Sequence, residues 1–385
     1  MAEINPTKRM RRARRRVPAL AMACLAATGL AVTRAEPAEP PDAPAAHAST
    51  EHPFTLGVSL QGRYDDNILQ LSDRDLQRFE DDPSSDRFII ESTDDVIAEL
   101  EVDLKWKASI FPRRLTRLGL SADANRYVEN DVKDYEEYTA SVSQELTASR
   151  RHLGSLRLAA TRTPHFYLRQ LKDDDRSATL GRTVRDEAVY AQDEYGVSYV
   201  QEIVRERLEG SLGWSARVRD YDAHFDSRDG TDEFWSLGLS ARPFGDSKIA
   251  LRVFYETGSL EAEGDLRRTA VEDDDVSFDH DTLGLEVGFP WGETHRGRLE
   301  LQAERETRDY TTDNSTDSSH FGRDDDRRDY RLHLTQGLGP HLDLSLDLRR
   351  RSNDAEFPAG AASSDEVTDY EEYRAGLGLV WRLDF

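Results

Sequence analysis

Between Asp95 and Phe111 charged residues fall on every second position: Glu99, Glu101, Asp103, Lys105 and Lys107 alternate with Leu100, Val102, Leu104 and Trp106. In an extended strand side chains repeat every two residues, so these charges share one face. A helix would scatter them around its circumference. Such a row holds no nucleophile. Its chemistry is electrostatic: it selects ions and polar solutes moving along it, or it pairs with charges on neighbouring strands and stiffens a wall. By the same parity Asp123, Arg217, Arg219, Arg252, Glu286, Glu300, Glu304, Asp343, Asp347, Arg349, Arg374 and Arg382 stand on that kind of face elsewhere.

Bond-making chemistry has little to work with. Of ten histidines, nine fall in tails, turns, loops or strand ends, and only His333 points to the charged face from mid-strand. Nothing near it forms a nucleophile motif, and G-x-S-x-G does not occur. The acidic runs Asp173-Asp174-Asp175, Asp273-Asp274-Asp275 and Asp324-Asp325-Asp326 read as hydrated loops, with Arg267, Arg268, Arg323, Arg327 and Arg328 nearby to pair with them. The stretch "DSRDGTDE" (226–233) has calcium-loop composition without D-x-D-x-D-G spacing. No metal site and no cofactor are expected.

The elements that carry these residues repeat the same design. Fourteen segments alternate apolar and polar positions, from Phe54, Leu56, Val58, Leu60 to the terminal "YRAGLGLVWRLDF". Short turn-rich links ("FPRR", "SRRHLG", "RERLEG", "RPFGDS", "PWGETH", "GLGPH") alternate with longer acidic ones at 70–93, 170–190, 222–232, 261–280, 311–326 and 353–368; "ENDVKD" is the short member of that set. The expected fold is all-β: an up-and-down antiparallel transmembrane β-barrel of about fourteen strands, with short periplasmic turns and longer acidic outer loops. A soluble sandwich would hide its apolar faces with half as many strands. Aromatics near strand ends, among them Tyr64, Trp106, Tyr138, Trp214, Trp235, Trp381 and Phe385, suit membrane interfaces.

Mean hydropathy is −0.72, which alternation explains without disorder. Net charge is −24, but residues 1–35 hold eight Lys/Arg and one Glu, leaving −31 beyond them. That charge excludes nucleic acid as a partner. The basic start, the apolar run Val17–Val32 and Thr33-Arg34-Ala35 read as an export signal over 1–35, followed by a Pro/Ala-rich flexible periplasmic tail at 36–51 and a barrel over 52–385. Cys24 is the only cysteine, so no disulfide is expected in the exported chain.

The final strand, through Tyr373, Leu379, Trp381, Leu383 and Phe385, resembles the assembly signal of Gram-negative outer-membrane proteins, in which an aromatic-ended strand is read by the barrel-assembly machinery. "GRYDDNIL" (62–69) resembles the β-barrel porin type 2 family, some members of which accompany exopolysaccharide loci. The resemblance implies an outer-membrane location. It also implies contact with lipid and lipopolysaccharide, and polysaccharide-export components as partners. Three functions stay open: a porin-like channel for small hydrophilic solutes or polysaccharide, a closed barrel whose acidic loops bind a surface partner, and an enzyme built around His333.

Overall fold

A computed structural model describes residues 53–85, 87–111, 114–146, 154–172, 174–243, 249–263, 275–291, 296–313, 317, 319–358 and 369–385. The expected export signal and tail lie outside these residues, as do Arg267, Arg268, Asp173, Asp273 and Asp274. Fourteen strands follow in order: β1 (Phe54–Asp65), β2 (Asp95–Phe111), β3 (Arg114–Tyr127), β4 (Tyr135–Glu145), β5 (Gly154–Lys172), β6 (Arg185–Val204), β7 (Leu208–Tyr221), β8 (Gly230–Ala241), β9 (Ala250–Ala262), β10 (Phe278–Trp291), β11 (Gly297–Tyr310), β12 (Asp324–Gly337), β13 (Leu342–Glu356) and β14 (Tyr370–Asp384).

Each strand pairs antiparallel with its neighbours in sequence, and β1 closes the barrel on β14. Phe54 and Phe385 exchange backbone hydrogen bonds of 3.0 Å at that seam, so β1 starts and β14 finishes at one end of the barrel. That end is called terminal here and the opposite one the loop end. Following the pairings sideways climbs from Leu56 at the start of β1, by way of Ala160 and Asp279, to Glu356 at the far end of β13. The strands are therefore strongly tilted. A tilt near 40° gives fourteen strands a backbone diameter of about 28 Å.

The alternation has the sense the sequence requires. Leu60, Leu100, Leu104, Leu120, Leu212, Leu237, Leu239, Leu283, Leu348 and Leu377 point outward and are exposed. Aromatic rows bound this belt. Phe54 stacks between Trp106 and Phe385 at the terminal end, with ring centroids 6.3 and 5.8 Å apart. Toward the loop end stand exposed Tyr64, Tyr138, Tyr195, Trp235, Tyr255, Tyr330 and Tyr373. The ten steps from Phe54 to Tyr64 rise about 26 Å along the axis.

Several connections differ from the expected acidic loops. Strands β5, β6, β8 and β13 run past the aromatic row, so 170–190, 222–232 and 353–368 are partly strand. The run Asp324–Asp326 opens β12 instead of lying in a loop. Arg323 holds buried Asp325 at 2.7 Å, and Arg328 holds Asp326 at 2.6 Å, so strand pairing and arginines override what looks like a hydrated run. Helix α2 (Asp174–Leu180) sits between β5 and β6.

The β1–β2 loop is the largest departure. It carries helix α1 (Asp73–Asp81), whose N-cap Ser72 accepts a hydrogen bond from Asp75 N at 3.3 Å. Around α1 the loop builds an apolar core: Ile68, Leu69, Leu71, Phe88 and Ile90 pack with Tyr167 of β5 and Val189 of β6, supported by Leu76, Phe79, Tyr127 and Val132. "GRYDDNIL" is the entry to this structure. Tyr64 donates outward to Asp94 at 2.8 Å, while Asp65 turns inward to Arg374. Asp66 accepts from Tyr373 N at 2.7 Å. Asn67 accepts from Leu71 N at 2.7 Å and donates to the carbonyls of Leu71 and Glu371 at 2.9 Å each. Ile68 and Leu69 then enter the core.

Candidate functional site: the barrel lumen

The inward face has three zones. At the loop end it is packed with charge. Arg374 lies 2.8 Å from Asp65 across the closing seam and also pairs with Glu372 on its own strand. Arg351 reaches Asp329 at 3.1 Å and Glu372 at 3.8 Å, and Arg349 Nε reaches Asp329 at 2.9 Å. Asp65 and Glu372 are each 0% exposed. The β1–β2 loop seals them: Gln70, in a left-handed conformation at φ 53°, donates to Glu372 at 3.2 Å. The loop is tied to the β5 side by Arg169, whose Nη2 donates to Leu69 O at 2.6 Å. It thus folds inward over the mouth.

Lys133, in the short turn Asp131–Lys133 after β3, is buried beside this loop. Its Nζ donates to Tyr167 O at 3.0 Å and lies 4.9 Å from the Phe166 ring centroid. Burial, reinforced by Arg374 and Arg169, lowers its pKa to about 7 from the usual lysine value. A lowered lysine pKa means that the unfolded chain binds the proton more tightly, so stability rises with pH between about 7 and the unfolded value near 10.4. The urea midpoint of the refolded barrel should therefore rise from pH 7 to pH 9.5. In Lys133→Met that rise should disappear, and an unchanged slope would refute the assignment.

At mid-height the wall is different. Glu101 faces Asp123 across β2–β3, and Asp123 faces Glu137 across β3–β4, so three carboxylates stand in one transverse row. Like charges directly opposite destabilise a sheet. Glu101 faces inward and is nevertheless exposed, which shows open space in the lumen at this height. Around the row, Glu99 pairs with Arg63 at 2.5 Å, and Lys105 Nζ lies 3.3 Å from Asp103. Asp103 lies flat on Gly57, where a Cβ would come within 1.7 Å of its Oδ2. Phe254 lies on Gly284 in the same way, so glycines let large side chains fold against the wall. Thr163 donates to Glu137 at 3.4 Å.

Further around the wall, from β6 to β13, charges are paired. Arg217 bridges Glu194 and Asp232 at 3.0 and 3.1 Å, and His280 lies 3.0 Å from Asp232. Arg219 donates to Gln192 at 3.2 Å. Toward the terminal end Arg252 pairs with Glu286 at 3.2 Å, Arg298 with Glu300 at 2.5 Å, and Arg331 with Asp347 at 2.6 Å. Glu304 accepts from Gln302. A cavity of about 260 Å³ opens here among Glu209, Arg252, Glu286, Arg298, Glu300 and His333.

The structure thus divides the sequence-read lining. Glu99, Glu101, Asp103, Lys105, Lys107, Arg217, Arg219, Arg252, Glu300 and Glu304 stand on the inward face of the open barrel. Arg349 and Arg374 face inward too, but in the packed zone under the β1–β2 loop. His333 lies 3.4 Å from Asp347, and among the described residues no nucleophile is seen joining that pair. Among the described residues no three His, Cys, Asp or Glu side chains come together as metal ligands would. The terminal strand pairs Leu379, Trp381 and Leu383 with Leu60, Val58 and Leu56 of β1, while Tyr373 stands in the upper aromatic row.

Sequence parity missed an inward aromatic ladder. Tyr135, Phe166, Tyr190 and Tyr221 follow on four strands, with centroids 5.3, 5.3 and 4.9 Å apart. Phe166 belongs to the outward set until an irregularity between Thr163 and Phe166 shifts the register by one residue and turns it inward. The signal in sequence was Pro164, which strands confine to edges and bulges.

No family model matches the chain, and no curated protein matches it. Among solved structures, OprD of Pseudomonas aeruginosa is similar at TM-score 0.36 and 9% identity, over 86% of this chain and 95% of that one. An anion-selective porin from Comamonas acidovorans is similar at TM-score 0.41 and 9% identity, over 86% and 98%. A FadL homologue of Pseudomonas aeruginosa is similar at TM-score 0.41 and 10% identity, over 86% and 90%. At these scores the functional reading rests on the chain's own residues.

Proposed function

We propose that the chain is a porin-like channel of an outer membrane, passing small hydrophilic solutes by diffusion and favouring cations. The observation that carries this reading is the exposed leucine belt of about 26 Å, bounded by aromatic rows and wrapped around a charged lumen. No soluble protein gains from exposing that belt, whereas lipid requires it, together with a sheet that has no free edge. The loop end then faces outward, and the strand ending in Trp381 and Phe385 serves the assembly machinery. A mouth packed by the β1–β2 loop suits small solutes better than a polysaccharide polymer. It is also what a closed interaction barrel would show, so conduction discriminates between the two.

The test is planar-bilayer recording on the refolded chain from residue 36. Stable ohmic steps with a reversal potential on the cation side are expected. In Glu101→Gln/Asp123→Asn/Glu137→Gln the cation preference should fall toward none, because the row facing the open lumen has lost its charge. Silence from a folded, heat-modifiable barrel would overturn the channel reading. Conduction without a change in selectivity would overturn the role of the row.

A further inference from the structure

The outward face just above the upper aromatic row is not uniform around the barrel. On β7 to β10 the positions there are Asp220, Glu233, Thr257 and Asp281, without a cation. On β11 to β13 three arginines stand close together. Arg305 lies directly opposite Arg328, and Arg350 lies directly opposite both Tyr330 and Tyr373. Their side chains are 65%, 41% and 47% exposed.

Carboxylates hold this array in place. Asp326 sits between Arg305 and Arg328, at 2.9 and 2.6 Å. Arg328 also reaches Asp354 at 3.2 Å, and Arg350 reaches Glu371 at 2.8 Å while its guanidinium lies 5.5 Å from the Tyr373 ring centroid. Placing two arginines face to face costs a strand pair stability, and exposed ion pairs return little. Solubility alone gives no reason for the arrangement. Below it the surface turns apolar at once, through Leu301, Leu348 and Leu377, all exposed.

We infer that this face of β11–β14 is a docking surface for the phosphorylated head group of an outer-leaflet glycolipid, whose acyl chains lie on the leucines beneath. The inference rests on the membrane reading above. Guanidinium forks match phosphate oxygens in pairs, and Arg350 beside two interface tyrosines sits at head-group height. The array is not basic overall, because Asp326, Asp354 and Glu371 balance its charge. Exposed Asp354 and Glu371 would therefore meet phosphate through divalent cations, which prefer carboxylate and phosphate oxygen.

The probe is purified diphosphorylated lipid A with the refolded chain in neutral detergent, read by native mass spectrometry with magnesium present. Insertion into vesicles is measured in parallel, so that a chain that does not insert indicts the membrane reading and not this site. One lipid A should stay bound, and Arg305→Gln/Arg328→Gln/Arg350→Gln should weaken it at least about tenfold. Arg126→Gln/Arg162→Gln, on the β3–β5 side, should leave it unchanged. Equal retention by the triple variant would overturn the inference. So would equal binding of dephosphorylated lipid, which would make the contact apolar only. Full competition by millimolar inorganic phosphate would overturn it as well, by reducing the site to one for free anions.

Discussion

Replacing residues 68–90 with a short Gly/Ser linker should raise single-channel conductance several-fold while leaving the barrel folded. Strand β1 ends at Asp65 and β2 begins at Asp95, so no strand pairing is removed. What is lost is the packing of Ile68, Leu69, Leu71, Phe88 and Ile90 against Tyr167 and Val189, and the ties from Arg169 and Gln70. These contacts hold a segment over the mouth without contributing to closure of the wall, so their loss is a local opening. Changing the length of a surface loop costs little in closure entropy. The check is bilayer recording, with heat-modifiable migration reporting the fold. Unchanged conductance would mean that the β1–β2 loop is not the constriction. A smaller version of the same result is expected of Arg169→Ala, which releases the bond to Leu69 and leaves the rest of the loop in place.

The wall was legible in sequence and the mouth was not, for a physical reason. Alternation is a local property: Glu101 must face away from Leu100 whatever the rest of the chain does. Strand count, turn placement and the two faces follow from it. Depth is not local. Glu372 and Glu101 both face inward, yet one is 0% exposed beneath Gln70 and the other is exposed in the lumen, because a loop more than 300 residues away in sequence folds back over β14. Composition misled at Asp324–Asp326, where consecutive acids read as solvent until strand pairing brings Arg305 beside Asp326, and Arg323 and Arg327 beside Asp325. In β5 the failure was arithmetic: one extra residue near Pro164 inverts the assignment until a second irregularity between Tyr167 and Arg169 restores it, and Phe166 was lost in between.

The buried charges at the seam support the second large prediction. Arg374→Met should destabilise the folded barrel by about 3–5 kcal/mol. The substitution keeps most of the side chain's volume, so a cavity is not the cause. It removes the cation from Asp65 and Glu372, both 0% exposed, and leaves two carboxylates facing one another across β1 and β14. Breaking a buried pair on one side strands the other charge, whereas removing both sides does not. The triple change Arg374→Met/Asp65→Asn/Glu372→Gln should therefore recover most of the loss, although Arg351 gives up one partner and keeps Asp329 at 3.1 Å. Urea unfolding followed by heat-modifiable migration measures all three proteins. If the triple variant is no more stable than the single one, the arginine acts by packing and not by charge. Recovery would show that the residue read from sequence as pore lining is instead the lock on the strand pair that closes the barrel.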